Sequence, residues 1–350
     1  MNMERKVKQI VIDCRSMINY ASYYLQGLKM LGLKYHFIFI DEISLHEMQD
    51  YRRGMAMIIE YEDESHRKIY IDTADGNNVH ERFYGWADVY AKINLKAEDL
   101  SRGKVVAIGP SFGIQVWNPF TTMCKCVSNF LKCKKDQYHV PFKIFMRDYL
   151  YTFIRRKPYE TYHSVCNEDR DYIFTLSTLW YNQDAYIRTN PLRGAFARIC
   201  KEIYPRFEGG FYYIEGEAVL KECPQYLKYQ QEYGDMIIKK RITMTEYQDK
   251  IKRSSIVFNI PSVLGCHGWK MGEYLAMGKA MISMPLNNVM PGEFKSGGHF
   301  LEVQSPEEIK DAVVRLKNHP EDIERLKEKS SKYFKENLAP DVVMKKLLEV

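Results

Sequence analysis

Short apolar runs alternate with amphipathic segments along the first half of the chain. A helix is predicted over residues 17–31, where apolar positions recur at helical spacing until Gly32. Short apolar runs predict strands at 8–13, 34–40, 57–61, 68–73, 88–93 and 104–108. Strands that alternate with helices favour a mostly parallel sheet covered on both faces, so we predict an α/β domain over residues 1–157.

A polar stretch from Lys157 to Arg170 separates this domain from a second alternating series. There the pattern predicts helices at 191–203 and 243–252, two or three more after Ser305, and strands at 172–179, 211–214, 236–239, 255–259 and 280–284. Asn190 is the predicted N-cap of the first of these helices, with Pro191 at its first position. We predict a second domain over residues 171–350, whose last helix either stays there or returns to the first domain.

The composition fits a globular protein of two domains. The 350 residues are 45% hydrophobic and 27% charged. No apolar run approaches the roughly eighteen residues of a membrane-spanning helix, and the first run is too short for a secretory signal. The eight cysteines lack the paired spacing of a zinc site. We therefore expect a cytoplasmic protein with reduced thiols, no metal site and no nucleic-acid partner.

The segment with the most specific chemistry is 268–283, GWKMGEYLAMGKAMIS. It predicts a loop, a helix, a turn at Gly278 and a strand. Gly268 permits close approach of a ligand to the free N–H groups of the first helical turn, and Lys270 adds a cation there. Glu273 lies about one turn deeper on the same face. A nucleotide diphosphate suits this pattern, because the phosphates match the cationic end and the ribose hydroxyls match the carboxylate.

This segment resembles the donor-site signature of GT-B glycosyltransferases, which are two-domain enzymes that use sugar nucleotides. The resemblance lies in the pattern Lys270-x-x-Glu273-Tyr274-Leu275-Ala276-x-Gly278-Lys279-x-x-Ile282. It implies two Rossmann-like domains that face each other across a cleft, with Glu273 on the donor ribose. Many relatives carry another glutamate eight residues earlier, where this chain has Gly265.

Further donor-site candidates stand near the predicted strand ends and helix starts. The resemblance implies paired basic residues after the first strand of the second domain, and Arg188 and Arg193 are similar to that pair. Thr178 at the strand end is a candidate hydrogen-bond donor to a phosphate. His267 and Trp269 flank Gly268 and are candidate ligand contacts, with simple packing as the alternative for Trp269.

The first domain offers candidates for the acceptor side. Asp75 or His80 follows a predicted strand and can act as the base that deprotonates an acceptor hydroxyl. The alternatives are a turn cap for Asp75 and a simply exposed side chain for His80. Lys92 and Asn94 end the next strand and are candidates to line the cleft.

The positive charge is concentrated in one segment. The chain carries a net charge of +6, while residues 124–157 alone contain nine basic and two acidic residues, a net +7. Aromatic and aliphatic residues interleave with these cations, as expected of a helix that lies on an anionic bilayer. Lys143, Arg147, Arg155 and Arg156 form the predicted membrane patch, with packing against the first domain as the alternative.

Together these features predict a metal-independent glycosyltransferase that needs no cofactor. It would move a sugar from a nucleotide diphosphate sugar to the hydroxyl of a glycan or polyprenyl-linked glycan, at the inner face of a membrane. Two alternatives remain open at this stage: a noncatalytic nucleotide-binding protein, and a GT-B-like sugar-nucleotide epimerase.

Overall fold

A computed structural model describes residues 6–45, 54–135, 140–164, 168–181, 188–261 and 263–349. The chain divides into two compact units. Unit 1 comprises Met1–Thr161, Asn288–Gly292 and Lys335–Val350, and unit 2 comprises Tyr162–Asn287 and Glu293–Phe334. Each unit combines helices with a β-sheet layer, so the predicted α/β fold class is confirmed.

Unit 1 is built on a six-stranded sheet within its described residues. Its strands are β1 (Val7–Asp13), β2 (Tyr35–Ile38), β3 (Gly54–Tyr61), β4 (His66–Asp72), β5 (Val89–Lys92) and β6 (Val105–Ala107). They lie in the order β2-β1-β3-β4-β5-β6. β3 runs antiparallel to both of its neighbours, and the other pairings are parallel. The sheet is therefore mixed, with a β3–β4 hairpin at its centre.

Helices and aromatic side chains complete unit 1. The helices are α1 (Ile18–Met30), α2 (Glu81–Trp86), α3 (Pro119–Cys133), α4 (Phe142–Ile154) and α12 (Pro340–Glu349). α12 packs against α1 at Gly27, where an added Cβ would lie 2.1 Å from the Pro340 carbonyl oxygen. The close contact explains why glycine stands inside a helix despite its low helix propensity.

Unit 2 has parallel strands. They are β7 (Tyr172–Thr178), β8 (Arg206–Tyr212), β9 (Ile256–Asn259), β10 (Ala280–Ser283) and β11 (Leu301–Glu302). β7 pairs with β8, and β10 pairs with both β9 and β11. The Ser255 amide donates to the Tyr172 carbonyl at 3.0 Å, which brings β7 beside β9. The carboxyl ends of β7 and β9 therefore lie at the same edge.

Seven helices accompany these strands in the described part of unit 2. They are α5 (Asn190–Ile203), α6 (Glu217–Glu222), α7 (Leu227–Glu232), α8 (Met244–Arg253), α9 (Trp269–Ala276), α10 (Pro306–Asn318) and α11 (Pro320–Tyr333). Apolar residues of α5, α10 and α11, among them Phe196, Val313 and Leu326, pack against Ile256 of β9 and Ile282 of β10. The amphipathic pattern of these helices is thus explained by burial of one face.

Two local predictions for unit 2 are wrong. The predicted strand at 236–239 is absent among the described residues, because Gly234–Met236 form a 3-10 turn and Ile237 makes an isolated bridge to Phe211. Asn190 is the first residue of α5 rather than its N-cap, which is Thr189. The Asn190 amide instead bonds both backbone groups of Trp180, at 3.1 Å from its N and 2.6 Å from its O.

Candidate functional site

A pocket of about 200 Å³ opens in unit 2 where β7 and β9 end and α9 begins. Its lining comprises Thr175, Ser177, Thr178, Trp180, Arg193, Phe258, Asn259, Ile260, Gly268, Trp269 and Lys270. Ligands of parallel α/β sheets bind beyond the carboxyl ends of strands, as here. The volume is below the roughly 300–1,000 Å³ of most small-molecule sites, so this pocket suits one part of a nucleotide sugar, such as its diphosphate.

Lys270 extends from the first turn of α9 towards β7. Its Nζ donates to the Leu176 carbonyl and lies 3.3 Å from Ser177 Oγ. Burial and nearby Arg193 together lower the pKa of Lys270 to about 7, against the opposing effect of Glu273. An anion bound beside this amine would favour its charged form.

Arg193 supplies a second cation from α5. Its Nη1 donates to the Thr178 carbonyl at 3.0 Å, while its buried Nε has no hydrogen-bond partner among the described residues. Burial lowers the pKa of Arg193 to about 10, so it stays charged at neutral pH. The Nε of Arg188 is likewise buried without a partner in the described part of the chain, although Arg188 does not line the pocket. Buried N–H groups of this kind indicate a missing acceptor.

No carboxylate oxygen of the described residues lies within ion-pair distance of Lys270 or Arg193. Their contacts are neutral carbonyl and hydroxyl oxygens. Two neighbouring cations without a carboxylate in ion-pair contact repel one another, and a diphosphate would relieve that repulsion. The arrangement can therefore bind a small dianion.

Glu273 lies beneath the pocket instead of on its surface. Its side chain is 5% exposed, and Tyr247 on α8 donates to Oε2 at 3.3 Å. Burial raises the pKa of Tyr247, and neighbouring Tyr274 and Glu273 add to the shift. Tyr247 is therefore a neutral donor to Glu273 at physiological pH.

Gly268 is the N-cap of α9, with φ −77° and ψ 155°. An added Cβ there would have no heavy atom within 4 Å, so open space lies beside Gly268 at the start of α9. Trp269 lines the same pocket, whereas His267 is buried beside it and does not belong to the lining. Of the loop candidates, the structure thus brings Gly268, Trp269 and Lys270 together.

Gly265 has a backbone that excludes the glutamate of many GT-B relatives. Its φ is +69°, and an added Cβ would lie 2.2 Å from Asn287 Nδ2. A side chain would therefore need both a left-handed backbone and a shift of Asn287. The amide of Asn287 fills the space in which a side chain at this position would begin.

Sequence reasoning missed six residues of the lining: Thr175, Ser177, Trp180, Phe258, Asn259 and Ile260. The signal for them was present, since Asn259 and Phe258 end a predicted strand and Trp180 follows another. Asn259 is held by a bond from its Nδ2 to Ser283 Oγ at 2.9 Å. The backbone of Trp180 is fixed by Asn190, so its place at the pocket depends on a contact that the periodicity does not encode.

The unit 1 candidates divide into buried and exposed residues. Lys92 is fully buried, and its Nζ lies 2.7 Å from Asp72 Oδ2. Asn94 is also buried, and its Nδ2 donates to the Ala74 carbonyl at 2.9 Å. Both side chains are buried and hold polar groups within unit 1, and their place at a cleft stays a prediction.

Asp75 and His80 lie on the exposed segment between β4 and α2. The His80 ring stacks on Phe83 with centroids 4.4 Å apart, and its amide donates to Tyr90 Oη at 3.0 Å. Both side chains are accessible, as a general base for a bound acceptor requires. Among the described residues, neither side chain lies in a cluster of catalytic groups.

The basic segment forms a pair of packed helices, α3 and α4. Rings of Phe130 and Phe142 meet at 4.8 Å between the helices. Six large apolar side chains remain exposed on the pair: Phe120, Val127, Leu131, Phe142, Ile144 and Ile154. Lys143, Arg147 and Arg155 are exposed beside them. Arg156 differs from the prediction, since it is partly buried and its Nε donates to Asn19 Oδ1 at 3.0 Å.

A family model described as "Glycosyl transferase-like" matches residues 204–349. This range contains β8 to β11 and α9. No curated protein matches the chain.

Solved structures with a similar backbone fold include three glycosyltransferases. A glycosyltransferase from Rickettsia africae is 10% identical over 95% of this chain and 80% of that one, with a TM-score of 0.43. The pneumococcal O-GlcNAc transferase GtfA, in complex with UDP and GlcNAc, is 11% identical over 95% and 96%, with a TM-score of 0.41. The C-terminal domain of a glycosyl transferase group 1 family protein from Francisella tularensis is 12% identical over 51% and 95%, with a TM-score of 0.36.

Proposed function

Because residues 204–349 match the glycosyl transferase-like family model, we propose that the protein transfers a sugar from a nucleotide diphosphate sugar to an acceptor hydroxyl. The observation that carries the proposal is the pocket at the ends of β7 and β9. It combines two cations that lack a carboxylate partner with the open start of α9.

Lys270 and Arg193 have the positions needed to stabilise the leaving diphosphate. Negative charge accumulates on the phosphates as the bond to the sugar breaks, and cations already in place at a desolvated site stabilise that charge without reorganisation. The N–H groups at the start of α9 add to this stabilisation. We infer a metal-independent mechanism, in which chelator and added magnesium leave turnover unchanged. A strict requirement for a divalent ion would contradict it.

Glu273 is proposed to bind the donor ribose, although it lies just beneath the lining. Tyr247 fixes one carboxylate oxygen, which orients the group. Glu273→Gln keeps the size and removes the charge, so donor affinity should fall by about 1.5–3 kcal/mol in calorimetry while the variant stays folded. Unchanged donor affinity would remove Glu273 from the site.

Asp75 and His80 remain the proposed alternatives for the base on the acceptor side. Both are exposed, and a histidine beside an aromatic ring or a loop carboxylate can each accept a proton. The pH dependence of turnover in Asp75→Asn and His80→Gln separates them. Replacement of the true base should lower turnover and change its pH profile, whereas replacement of the other residue should leave the profile unchanged.

The deciding experiment measures binding and turnover together. Calorimetry with uridine, guanosine and cytidine diphosphates identifies the nucleotide, and nucleotide release is then followed with and without candidate acceptors. Release that depends on an acceptor supports the transferase. Release without an acceptor would favour the epimerase, and binding without release would favour the noncatalytic protein.

We further propose that the acceptor is lipid-linked and reached at an anionic membrane surface from the cytoplasmic side. No helix in the described part of the chain has the length and hydropathy to cross a membrane. The support lies on α3 and α4, where Phe120 and Ile154 are 78% and 62% exposed beside Lys143, Arg147 and Arg155. Apolar side chains beside cations suit the boundary between acyl chains and headgroups.

Vesicle co-sedimentation tests this surface. Binding should require anionic lipid, weaken as salt rises, and fall when Lys143, Arg147 and Arg155 are changed to glutamine. Arg156→Gln is the matched control, because its side chain already bonds Asn19. Equal binding to neutral and anionic vesicles, or no binding to either, would favour a soluble acceptor.

A further inference from the structure

Two thiols meet in unit 1, far from the pocket residues of unit 2 in the sequence. Cys14 directly follows β1, and Cys133 is the last residue of α3. Their Sγ atoms lie 3.3 Å apart, although the residues are separated by 119 positions. Neither thiol has a part in the function proposed above.

Hydrogen bonds to β2 hold the segments of both cysteines in place. The Cys14 amide donates to the Ile38 carbonyl at 2.7 Å, which fixes it to the end of β2. Next to Cys133, Lys132 Nζ donates to the Phe37 carbonyl at 2.7 Å, which fixes the end of α3 to the same strand. The two sulfur atoms are thus held together by elements that pack independently of them.

We propose that Cys14 and Cys133 form a reversible disulfide that ties the end of β1 to the end of α3. The sulfur atoms need to approach by only about 1.2 Å to reach the roughly 2.05 Å of a disulfide bond. The bond would fix the helix that carries Phe120, Val127 and Leu131 to the sheet.

The difference in exposure sets the order of the reaction. Cys14 is completely buried, and the hydrogen bond from Cys133 and burial both raise the pKa of its thiol. Cys133 is partly exposed and is therefore the first nucleophile. Its thiolate attacks a disulfide oxidant such as oxidised glutathione, breaks the S–S bond and releases one glutathione thiolate.

The second step closes the bond. The thiol of Cys14 loses its proton and attacks the sulfur of Cys133 in the mixed disulfide, and a second glutathione thiolate leaves. The protein loses two hydrogens, and the oxidant becomes two molecules of reduced glutathione. A low-molecular-weight thiol reverses both steps.

The test equilibrates the full-length protein over a range of reduced to oxidised glutathione ratios. Free thiols are then alkylated under denaturing conditions, and the protein is digested with trypsin without reductant. The positions of Arg15, Lys125, Lys132 and Lys134 separate the cysteines of α3 from one another and from Cys14. The expected product joins peptide 9–15 to peptide 133–134, while Cys124 is alkylated.

Matched variants distinguish this bond from other oxidation. Cys124→Ser changes an exposed thiol on the same helix and should leave the cross-link unchanged, whereas Cys133→Ser should abolish it. Oxidation should raise the thermal midpoint of wild type and Cys124→Ser by several degrees, and not that of Cys133→Ser. Alkylation of Cys14 and Cys133 at every glutathione ratio would overturn the proposal, as would an equal rise in midpoint in Cys133→Ser.

Discussion

Lys92 of unit 1 and Lys270 of unit 2 differ in their hydrogen-bond and ion-pair partners. In unit 1, Lys92 ends β5 with its Nζ 2.7 Å from the Asp72 carboxylate, and Tyr90 donates to that carboxylate as well. In unit 2, Lys270 contacts a carbonyl and a hydroxyl oxygen and lies near a second cation, Arg193. Lys92 is fully buried and Lys270 is partly buried, yet only Lys92 has a counter-charge within ion-pair distance among the described residues.

The difference teaches that burial alone does not identify a site. A buried charge with a partner and further hydrogen bonds satisfies its own requirements, and it contributes to the structure. A desolvated cation without an acidic partner lowers the stability of the free protein, and a bound anion would compensate for that cost. By this criterion Lys92 is structural, and Lys270 belongs to a binding site.

The largest predicted effect is on stability in unit 1. Lys92→Met leaves Asp72 buried without its cation, so the free energy of unfolding should fall by about 3–5 kcal/mol. Urea denaturation measures the change. The double variant Asp72→Asn with Lys92→Met should recover part of the loss. A single variant as stable as wild type would mean that the pair contributes nothing to folding.

The corresponding change in unit 2 should affect binding instead. Lys270→Met removes a cation that has no carboxylate partner, so stability should stay the same or increase. Affinity for the nucleotide diphosphate should fall by about 1.5–3 kcal/mol, the value of a hydrogen bond to a charged group. Calorimetry measures the affinity, and Lys240→Met is the control because Lys240 is exposed. A loss of stability without loss of affinity would reverse the roles assigned to the two lysines.

A smaller effect concerns pH, because Lys270 titrates near neutrality. Its pKa is about 7 in the free protein, and a bound diphosphate should raise this pKa. The protein should therefore take up a proton on binding at pH 8. Affinity should fall by at most about tenfold per pH unit above 7, until the pH reaches the pKa of the complex.

Calorimetry with a nucleotide sugar in two buffers of different ionisation enthalpy measures this uptake. The nucleotide sugar is the suitable ligand, because its diphosphate does not titrate near neutral pH. The dependence on buffer should disappear in Lys270→Met, while Arg193 stays charged with its pKa of about 10. An enthalpy that is independent of the buffer in wild type would show that Lys270 does not change its protonation.

Periodicity predicted most elements of both units, because apolar runs and helical spacing report burial directly. The pattern at the start of α9 indicated Lys270, and the GT-B resemblance implied Arg193; both line the pocket. Periodicity could not tell Lys92 from Lys270, because the counter-charge of Lys92 depends on the pairing of β4 with β5, which a single sequence does not specify. Trp180 was missed for a similar reason, as its place depends on Asn190.

The smallest predicted effect tests whether the start of α9 contributes to diphosphate binding in addition to Lys270 and Arg193. Gly268→Ala adds a methyl group where no heavy atom lies within 4 Å, in a backbone conformation that any residue adopts, so stability should change by less than about 1 kcal/mol. If donor phosphates approach the N–H groups of α9, the methyl group should lower affinity by roughly 1 kcal/mol or more. Gly265→Ala in the same loop is the contrasting variant, since its φ of +69° and the amide of Asn287 should make it lower the melting temperature instead. Wild-type affinity in Gly268→Ala would mean that Lys270 and Arg193 bind the diphosphate without the helix start.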